Sequence, residues 1–135
     1  MQTVLAPAKV NLYLHVGEAN DIGRHPLESL TVFAGPEAAD RLTIEAADTI
    51  QLAVIGPYSE ACGDIANNLV FRAADALRKT LNPGRGARIT LVKHLPVAAG
   101  IGGGSADAGA ALRALNHLWN GPQSVDHLVA IAAHL

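Results

Sequence analysis

The sequence predicts an α+β domain, in which a mixed, mainly antiparallel sheet carries helices on one face. Three observations support this prediction. Short segments in which every second residue is apolar occupy the first half of the chain, as half-buried strands require. Apolar residues spaced three and four apart dominate the second half, as amphipathic helices require. A glycine-rich segment joins the last predicted strand to a helix.

Length and composition limit the class of protein. A chain of 135 residues is long enough for one domain, and half of its residues are hydrophobic. A net charge of −2 gives no support to nucleic acid or a membrane surface as a partner. The single cysteine cannot form an internal disulfide, and the six histidines show no metal-ligand spacing. We therefore expect a cytoplasmic protein without a structural metal, and the oligomeric state stays open.

The first predicted strand covers residues 10–16 and has one polar face. Strand side chains alternate between faces, which predicts that four polar residues lie together: Lys9, Asn11, Tyr13 and His15. A lysine and an asparagine two positions apart can reach a common ligand. A solvated face of an antiparallel sheet would show the same pattern, so both interpretations stay open.

Three further strands are predicted downstream, at residues 27–33, 41–46 and 50–55. Only three residues, 47–49, separate the last two strands. This spacing is typical of a hairpin, so we expect these two strands to pair with each other.

Three helices are predicted in the second half. The first begins after a capping asparagine, Asn67 or Asn68. The second begins near Ser105 and has its apolar residues at helical spacing: Ala108, Ala111, Leu112, Leu115 and Trp119. The third begins after Ser124 and continues to Leu135.

The glycine-rich loop follows a strand predicted at residues 87–93. Four of the five residues 100–104 are glycine, so no side chain keeps a ligand away from the backbone. The helix that follows points its unpaired N–H groups and positive dipole end into the loop, which favours an anion such as phosphate. A Walker A loop would need lysine, and a Rossmann loop glycine, where this chain has Ser105. A flexible loop without a ligand is the alternative.

Residues 96–106 resemble the second motif of the GHMP kinases, Pro-x-x-x-Gly-Leu-Gly-Gly-Gly-Ser-Ser. Further motifs resemble, in the same order, one family of this superfamily, the 4-diphosphocytidyl-2-C-methyl-D-erythritol kinases. They are Pro7-Ala8-Lys9-Val10-Asn11-Leu12, Gly23-Arg24-His25, Asn68-Leu69-Val70, Lys93-His94-Leu95-Pro96 and Leu115-Asn116-His117-Leu118-Trp119. The resemblance implies a ribosomal protein S5 domain 2-like fold with a left-handed βαβ unit.

The same resemblance implies an activity. It is ATP-dependent phosphorylation of the 2-hydroxyl of 4-diphosphocytidyl-2-C-methyl-D-erythritol, in the non-mevalonate route to isoprenoid precursors. The implied ligands are ATP, Mg²⁺ bound with the nucleotide, and this cytidine-diphosphate-linked sugar alcohol. Residues 1–135 would form the N-terminal, ATP-binding domain, and the family's C-terminal domain is absent from this chain.

The resemblance also implies roles for individual residues. Lys9 matches the family's catalytic lysine, and Asn11 and His25 match residues on the substrate side. The implied ATP-binding residues are Asn68, Leu69, Lys93, Pro96, Val97, Ala98, Ala99, Gly100, Ile101, Gly102, Gly103, Gly104, Ser105, Ala106 and Asp107. Without the resemblance, other interpretations would fit these positions equally well. Asn68 could be a helix cap, Leu69 a core leucine and Lys93 a solvated lysine.

The chain departs from the family pattern at several positions. Arg24 replaces a tyrosine that stacks on the cytosine, so either its guanidinium stacks there or the stacking is lost. Ala106 replaces a serine, and Asp107 is predicted in the first helical turn, where a carboxylate suits the helix dipole. The family's catalytic aspartate follows the helix that ends here at Leu135, so we expect little kinase activity from this chain alone. Another GHMP small-molecule kinase, or a nucleotide-binding module without catalysis, is the alternative.

Overall fold

The structure is a computed structural model that describes residues 1–19, 23, 25–81 and 84–135. The strands are β1 (Gln2–Pro7), β2 (Lys9–Val16), β3 (Leu27–Phe33), β4 (Ala39–Ala47), β5 (Ile50–Ile55) and β6 (Gly86–Val92). The helices are α1 (Leu69–Leu81), α2 (Gly103–Leu118) and α3 (Val125–Ala132), with short 3-10 turns at Pro36–Ala38, Glu60–Cys62 and Ile65–Asn67. β1 is not among the strands that the sequence predicted.

The main sheet has the strand order β1-β4-β6-β5. β4 is antiparallel to both of its neighbours, β5 is parallel to β6, and α1 lies in the crossover between them. The mixed, mainly antiparallel sheet is therefore confirmed. The predicted hairpin of 41–46 with 50–55 is wrong, because β4 and β5 each pair with β6, which lies between them. Gly86 permits this insertion, since a Cβ there would overlap the backbone of Thr49.

The helices pack on one face of this sheet, as predicted. Leu42 and Ile44 of β4 and Ile89 and Leu91 of β6 are buried in the core between sheet and helices. The helices contribute their apolar faces, which include Val70, Ala73, Leu77, Ala108, Ala111, Leu112 and Leu115. The predicted apolar face of α2 is therefore confirmed, whereas on α3 Leu128 is buried but Val125 and Val129 are exposed.

β2 and β3 form a separate antiparallel pair with an irregular register. Asn11 lies opposite Thr31, whereas Tyr13 lies opposite Leu30, so Leu12 is an extra residue on β2. Such a β-bulge shifts the alternation of the strand that carries it. Because Thr31 and Leu30 face opposite sides of β3, Tyr13 faces the side opposite to Asn11.

The bulge corrects the predicted polar face of this strand. Lys9 and Asn11 share one face, and the Lys9 Nζ donates to the Asn11 Oδ1 at 3.1 Å. Tyr13 and His15 lie together on the other face, where the Tyr13 hydroxyl is 3.1 Å from the His15 Nδ1. Only the first two residues can therefore contribute to one site.

Side-chain caps begin two of the helices at predicted residues. The Asn68 Oδ1 accepts from the Val70 N–H at 2.9 Å, and the Ser124 Oγ accepts from the His127 N–H at 3.3 Å. α3 ends three residues before the end of the predicted helix. Within the described ranges, no helix combines the length and the apolar character needed to cross a membrane.

Candidate active site

The glycine-rich loop turns sharply between β6 and α2. Ala98, Gly100 and Gly102 have positive φ angles of 58°, 74° and 67°. Glycine adopts this conformation without a steric penalty, whereas the Cβ of alanine opposes it. The backbone of the loop is therefore strained at Ala98. Gly102 is also the N-cap residue of α2.

α2 begins at Gly103, two residues before the predicted start at Ser105. Its first intrahelical hydrogen bond runs from the Ala106 N–H to the Gly102 carbonyl at 2.9 Å, so the three preceding N–H groups have no acceptor within the helix. An anion at this end would meet these N–H groups and the positive end of the helix dipole. The earlier start makes Asp107 the fifth residue of the helix, so the prediction that placed it in the first turn is wrong.

A cleft of about 350 Å³ lies beside the loop, the end of β6 and the start of α1. Every residue predicted to bind ATP lines it except Ala106, which packs half-buried against the core. Cys62 and Asn67 also line the cleft and were not predicted, because neither belongs to a pattern that indicates a ligand. The structure thus brings all but one of the predicted ATP-binding residues to a single cleft. That these residues bind ATP stays a prediction.

Lys9 lies against the glycine-rich loop. Its backbone N–H donates to the Ile101 carbonyl at 2.8 Å, and a Cβ on Gly102 would stand 3.4 Å from the Lys9 Cε. The Asn11 Oδ1 accepts from Lys9 and also from the Thr31 hydroxyl at 3.0 Å. The structure therefore brings the predicted catalytic lysine and its neighbour Asn11 to the loop.

A buried ion-pair network lies beneath the same loop. The Lys93 ammonium donates to the Asp40 carboxylate and, at 2.8 Å, to the Asp107 Oδ2. The Asp40 Oδ1 also accepts from the N–H groups of His94 at 2.6 Å and Leu95 at 2.8 Å. The exposed fractions of Lys93, Asp40 and Asp107 are 3%, 0% and 2%. Lys93 is thus not a solvated lysine, and its ammonium is committed to the two carboxylates.

Asp40 belongs to this network but was not predicted from the sequence. A single acid at the start of a strand has no spacing relation to the loop, and only the sheet order brings the two together. The network joins β4, the end of β6 and the second turn of α2. It therefore anchors both ends of the glycine-rich loop.

Burial and the neighbouring charges together set the protonation of this network. Burial raises the pKa of Asp107, the hydrogen bond and charge of Lys93 oppose that rise, and the charge of Asp40 adds to it, which leaves the pKa at about 7. Burial alone would lower the pKa of Lys93, but the hydrogen bonds and charges of the two carboxylates outweigh it and raise that pKa. The pKa of Asp107 therefore lies near neutral pH.

His25 lies far from the loop, at the other end of β2. Its Nδ1 donates to the Gly17 carbonyl at 2.8 Å, just beyond the last residue of β2, whereas Lys9 is the first residue of that strand. The length of the strand separates the two by roughly 20 Å. Arg24 lies outside the described residues. The structure thus does not bring His25 together with Lys9, and a ligand touching both would have to be long.

No metal centre is formed by the residues that the structure describes. Among them, no group of three or more His, Cys, Asp or Glu side chains is placed to hold a metal ion.

The sequence is similar to known kinases over most of its length. The family model "GHMP kinases N terminal domain" matches residues 68–135. The 4-diphosphocytidyl-2-C-methyl-D-erythritol kinase of Hyphomonas neptunium is 53% identical over 130 residues, which are 96% of this chain and 43% of the relative. The enzyme of the same name from a Jannaschia species is 56% identical over 115 residues, 85% of this chain and 40% of the relative. The chain therefore spans less than half the length of these relatives.

Solved structures show the same fold. A crystal structure of 4-(cytidine 5'-diphospho)-2C-methyl-D-erythritol kinase matches 98% of this chain and 45% of its own, with a TM-score of 0.77 and 37% identity. The homoserine kinase of Cytophaga hutchinsonii matches 98% of this chain with a TM-score of 0.70, but its 21% identity supports the fold alone. The matched family model covers α1, β6, the glycine-rich loop, α2 and α3. With the N-terminal domain model matching half of its residues, this chain belongs to the GHMP kinase family.

Proposed function

We propose that this chain supplies the ATP-binding part of a kinase that phosphorylates the 2-hydroxyl of 4-diphosphocytidyl-2-C-methyl-D-erythritol. This reaction belongs to the non-mevalonate route to isoprenoid precursors. The observation that carries the proposal is the open N-terminus of α2, which meets the glycine-rich loop beside the Lys9 side chain. The names of relatives at about 50% identity support the choice of substrate.

The triphosphate of ATP would bind at the start of α2. The N–H groups of Gly103, Gly104 and Ser105 precede the first intrahelical hydrogen bond and can donate to phosphate oxygens. Phosphoryl transfer depends mainly on positioning and charge stabilisation, which such backbone donors supply. The adenosine would occupy the part of the cleft lined by Asn68 and Leu69. Lys93 would line the wall of the site and would not bind phosphate, because its ammonium is already paired with Asp40 and Asp107.

Lys9 and Asn11 would act at the phosphoryl group that is transferred. Since the Lys9 side chain passes close to Gly102, its ammonium can reach a phosphate held at the loop. Its positive charge would offset the negative charge that develops during transfer. Asn11 would hold this ammonium in place, because its Oδ1 accepts from both Lys9 and Thr31.

The cytidine end of the substrate would bind near His25. A carbonyl oxygen only accepts hydrogen bonds, so the bond from the His25 Nδ1 to Gly17 places a proton on that nitrogen. In the neutral ring the Nε2 is then an acceptor, which suits the amino group of cytosine. The length of β2 between His25 and Lys9 suits a long substrate with its base at one end and the reacting hydroxyl at the other.

Mg²⁺ would enter the site together with ATP. The phosphate oxygens would be its main ligands, and Ser105, which is exposed in the first turn of α2, offers a hydroxyl oxygen. When bound, the ion would neutralise part of the triphosphate charge. The residues of this chain would bind and orient the phosphates around it.

Nucleotide binding tests the first half of the proposal. Isothermal titration calorimetry with the non-hydrolysable analogue AMP-PNP and Mg²⁺ should give saturable binding. Lys9→Met should weaken this binding roughly tenfold, because one charge-assisted contact to phosphate is lost. Lys79→Met is the matched control, since Lys79 is an exposed lysine of α1 that pairs with Asp75. Absence of AMP-PNP binding by the folded chain would overturn the proposal.

Substrate binding tests the second half. 4-Diphosphocytidyl-2-C-methyl-D-erythritol should bind, CDP should compete with it, and His25→Ala should weaken both ligands. Homoserine or mevalonate binding in its place would identify another GHMP small-molecule kinase. A protein that carries this chain followed by the remaining length found in its relatives should transfer phosphate from ATP to this substrate. Binding without transfer in that longer protein would instead support a nucleotide-binding module.

We also propose that the protein acts in the cytoplasm, where ATP is available. Cell fractionation followed by immunodetection of this chain tests this, and recovery in a secreted or membrane fraction would contradict it.

A further inference from the structure

Two buried carboxylates share one buried ammonium directly beneath the proposed phosphate site. A Cβ on Gly103, the first residue of α2, would lie 3.2 Å from the Lys93 Nζ and 3.7 Å from the Asp40 Oδ2. With Lys93, Asp40 and Asp107 all ionised, the network has one excess negative charge. A phosphate brought to the same end of α2 would be repelled by this charge. Uptake of one proton would make the network neutral and remove the repulsion.

The free oxygen of this network belongs to Asp107. The Asp107 Oδ2 accepts from Lys93, whereas its Oδ1 is buried and has no hydrogen-bond partner among the residues that the structure describes. Asp40, by contrast, uses one oxygen for Lys93 and the other for two backbone N–H groups. Asp107 also lines the cleft. A buried oxygen without a partner, on a residue that lines the cleft, makes Asp107 the site of proton uptake.

We propose that Asp107 is a positioning residue whose charge sets how tightly the glycine-rich loop holds a nucleotide triphosphate. The inference rests on the proposed function, because it requires the triphosphate at the start of α2. Asp107 acts through Lys93 and not by touching phosphate. When Asp107 is neutral, only Asp40 offsets the positive charge of Lys93 beneath Gly103, so the loop binds an anion more tightly.

Several ionisable groups lie around Asp107. It interacts with Lys93 just after β6, Asp40 on β4 and Cys62 in the 3-10 turn Glu60–Cys62, while Lys9 lies beside Gly102. Burial raises the pKa of the Cys62 thiol, so this group stays neutral in the range between pH 6 and 8. The pKa of Lys93 is raised, so its ammonium stays charged. Burial raises the pKa of Asp107 to about 7, within the range.

The first test measures the affinity for AMP-PNP with Mg²⁺ by calorimetry at pH 6, 7 and 8. Asp107→Asn removes the titration but keeps an oxygen that can accept from Lys93. Asp75→Asn is the matched control, because Asp75 lies on α1 in pairs with Arg78 and Lys79 away from the cleft. The nucleotide's own protonation affects all proteins equally, so the compared quantity is the Kd of the wild type divided by that of each variant.

We expect the ratio for Asp107→Asn to rise about fivefold from pH 6 to pH 8, if bound phosphate raises the pKa of Asp107 by about one unit. The wild type binds AMP-PNP more weakly as Asp107 ionises, whereas the affinity of Asp107→Asn does not depend on this ionisation. The ratio for Asp75→Asn should stay constant over the same range.

A second test needs no nucleotide. A carboxyl with a pKa of about 7 in the folded protein and 3.8 in the unfolded chain binds its proton more tightly when folded. The stability it confers is therefore lost as the pH rises through 7. Between pH 6 and pH 8, the unfolding equilibrium constant of the wild type should rise about tenfold relative to that of Asp107→Asn. Urea unfolding followed by the fluorescence of Trp119 measures it.

The outcomes separate this inference from the proposed function. If AMP-PNP binds but the Kd ratio for Asp107→Asn is the same at every pH, the role of Asp107 is overturned and the ATP site stands. If folded wild type and both variants fail to bind AMP-PNP at every pH, the proposed function is overturned and the inference with it. If Asp107→Asn does not fold, Asp107→Ser serves as the neutral variant in both tests.

Discussion

Removal of the Lys93 ammonium is expected to destabilise the protein strongly. Lys93→Met keeps the length of the side chain but leaves Asp40 and Asp107 facing one another without a counter-charge. Removing one partner of a buried ion pair costs about 3–5 kcal/mol, out of a total stability of about 5–15 kcal/mol. The loss should be larger at pH 8 than at pH 6, because a proton taken up by one carboxylate relieves the repulsion. Each such proton changes the free energy of unfolding by up to about 1.4 kcal/mol per pH unit.

Urea unfolding at pH 6 and pH 8, followed by the fluorescence of the buried Trp119, measures this loss. Lys79→Met is the control, because Lys79 pairs with Asp75 at 2.7 Å while its side chain is 73% exposed. An exposed pair of this kind contributes about 0.5 kcal/mol or less. A loss below about 1 kcal/mol for Lys93→Met at pH 8 would refute the stabilising role given to the network. An equal loss at both pH values would refute the repulsion between the two carboxylates.

Substitutions at three further positions test packing and helix capping, each by chemical denaturation followed by circular dichroism. Gly86→Ala should cost more than about 2 kcal/mol, because its Cβ would overlap the Thr49 backbone; a neutral effect would contradict the close approach. Trp119→Phe should cost about 1–3 kcal/mol, since it removes the hydrogen bond at 3.1 Å from its Nε1 to the Gly86 carbonyl. Asn68→Ala should cost about 1 kcal/mol, because the Val70 N–H loses its cap, and Asn68→Gly should restore most of it.

Features that depend on neighbouring residues could be predicted from the sequence. Asn68 and Ser124 cap their helices because each side chain bonds an N–H two or three residues away, a relation that spacing alone reveals. The buried face of α2 follows in the same way from residues three and four apart. Within the candidate site, the contiguous residues of the loop could be found because their glycines mark a backbone that approaches a ligand.

Features that depend on distant strands could not be predicted. Two strands joined by two residues normally form a hairpin, and only the later strand β6 separates β4 from β5. The bulge at Leu12 is set by the register against β3, which no pattern within β2 records. Asp40 could not be predicted for the same reason, since it contacts Lys93 only through the pairing of β4 with β6.

The late insertion of β6 also has a consequence for how the chain folds during synthesis. β5 ends at residue 55, but its partner β6 ends at residue 92. The pairing of β5 with β6 therefore cannot be completed until 37 further residues have been synthesised. At a translation rate of about 5–20 residues per second, this wait lasts roughly 2 to 7 seconds. During that time β4 and β5 both expose unpaired edges, which are sites where strands of other chains can add. The nascent domain should therefore be most prone to aggregation, and most dependent on chaperones, before residue 92 has left the ribosome.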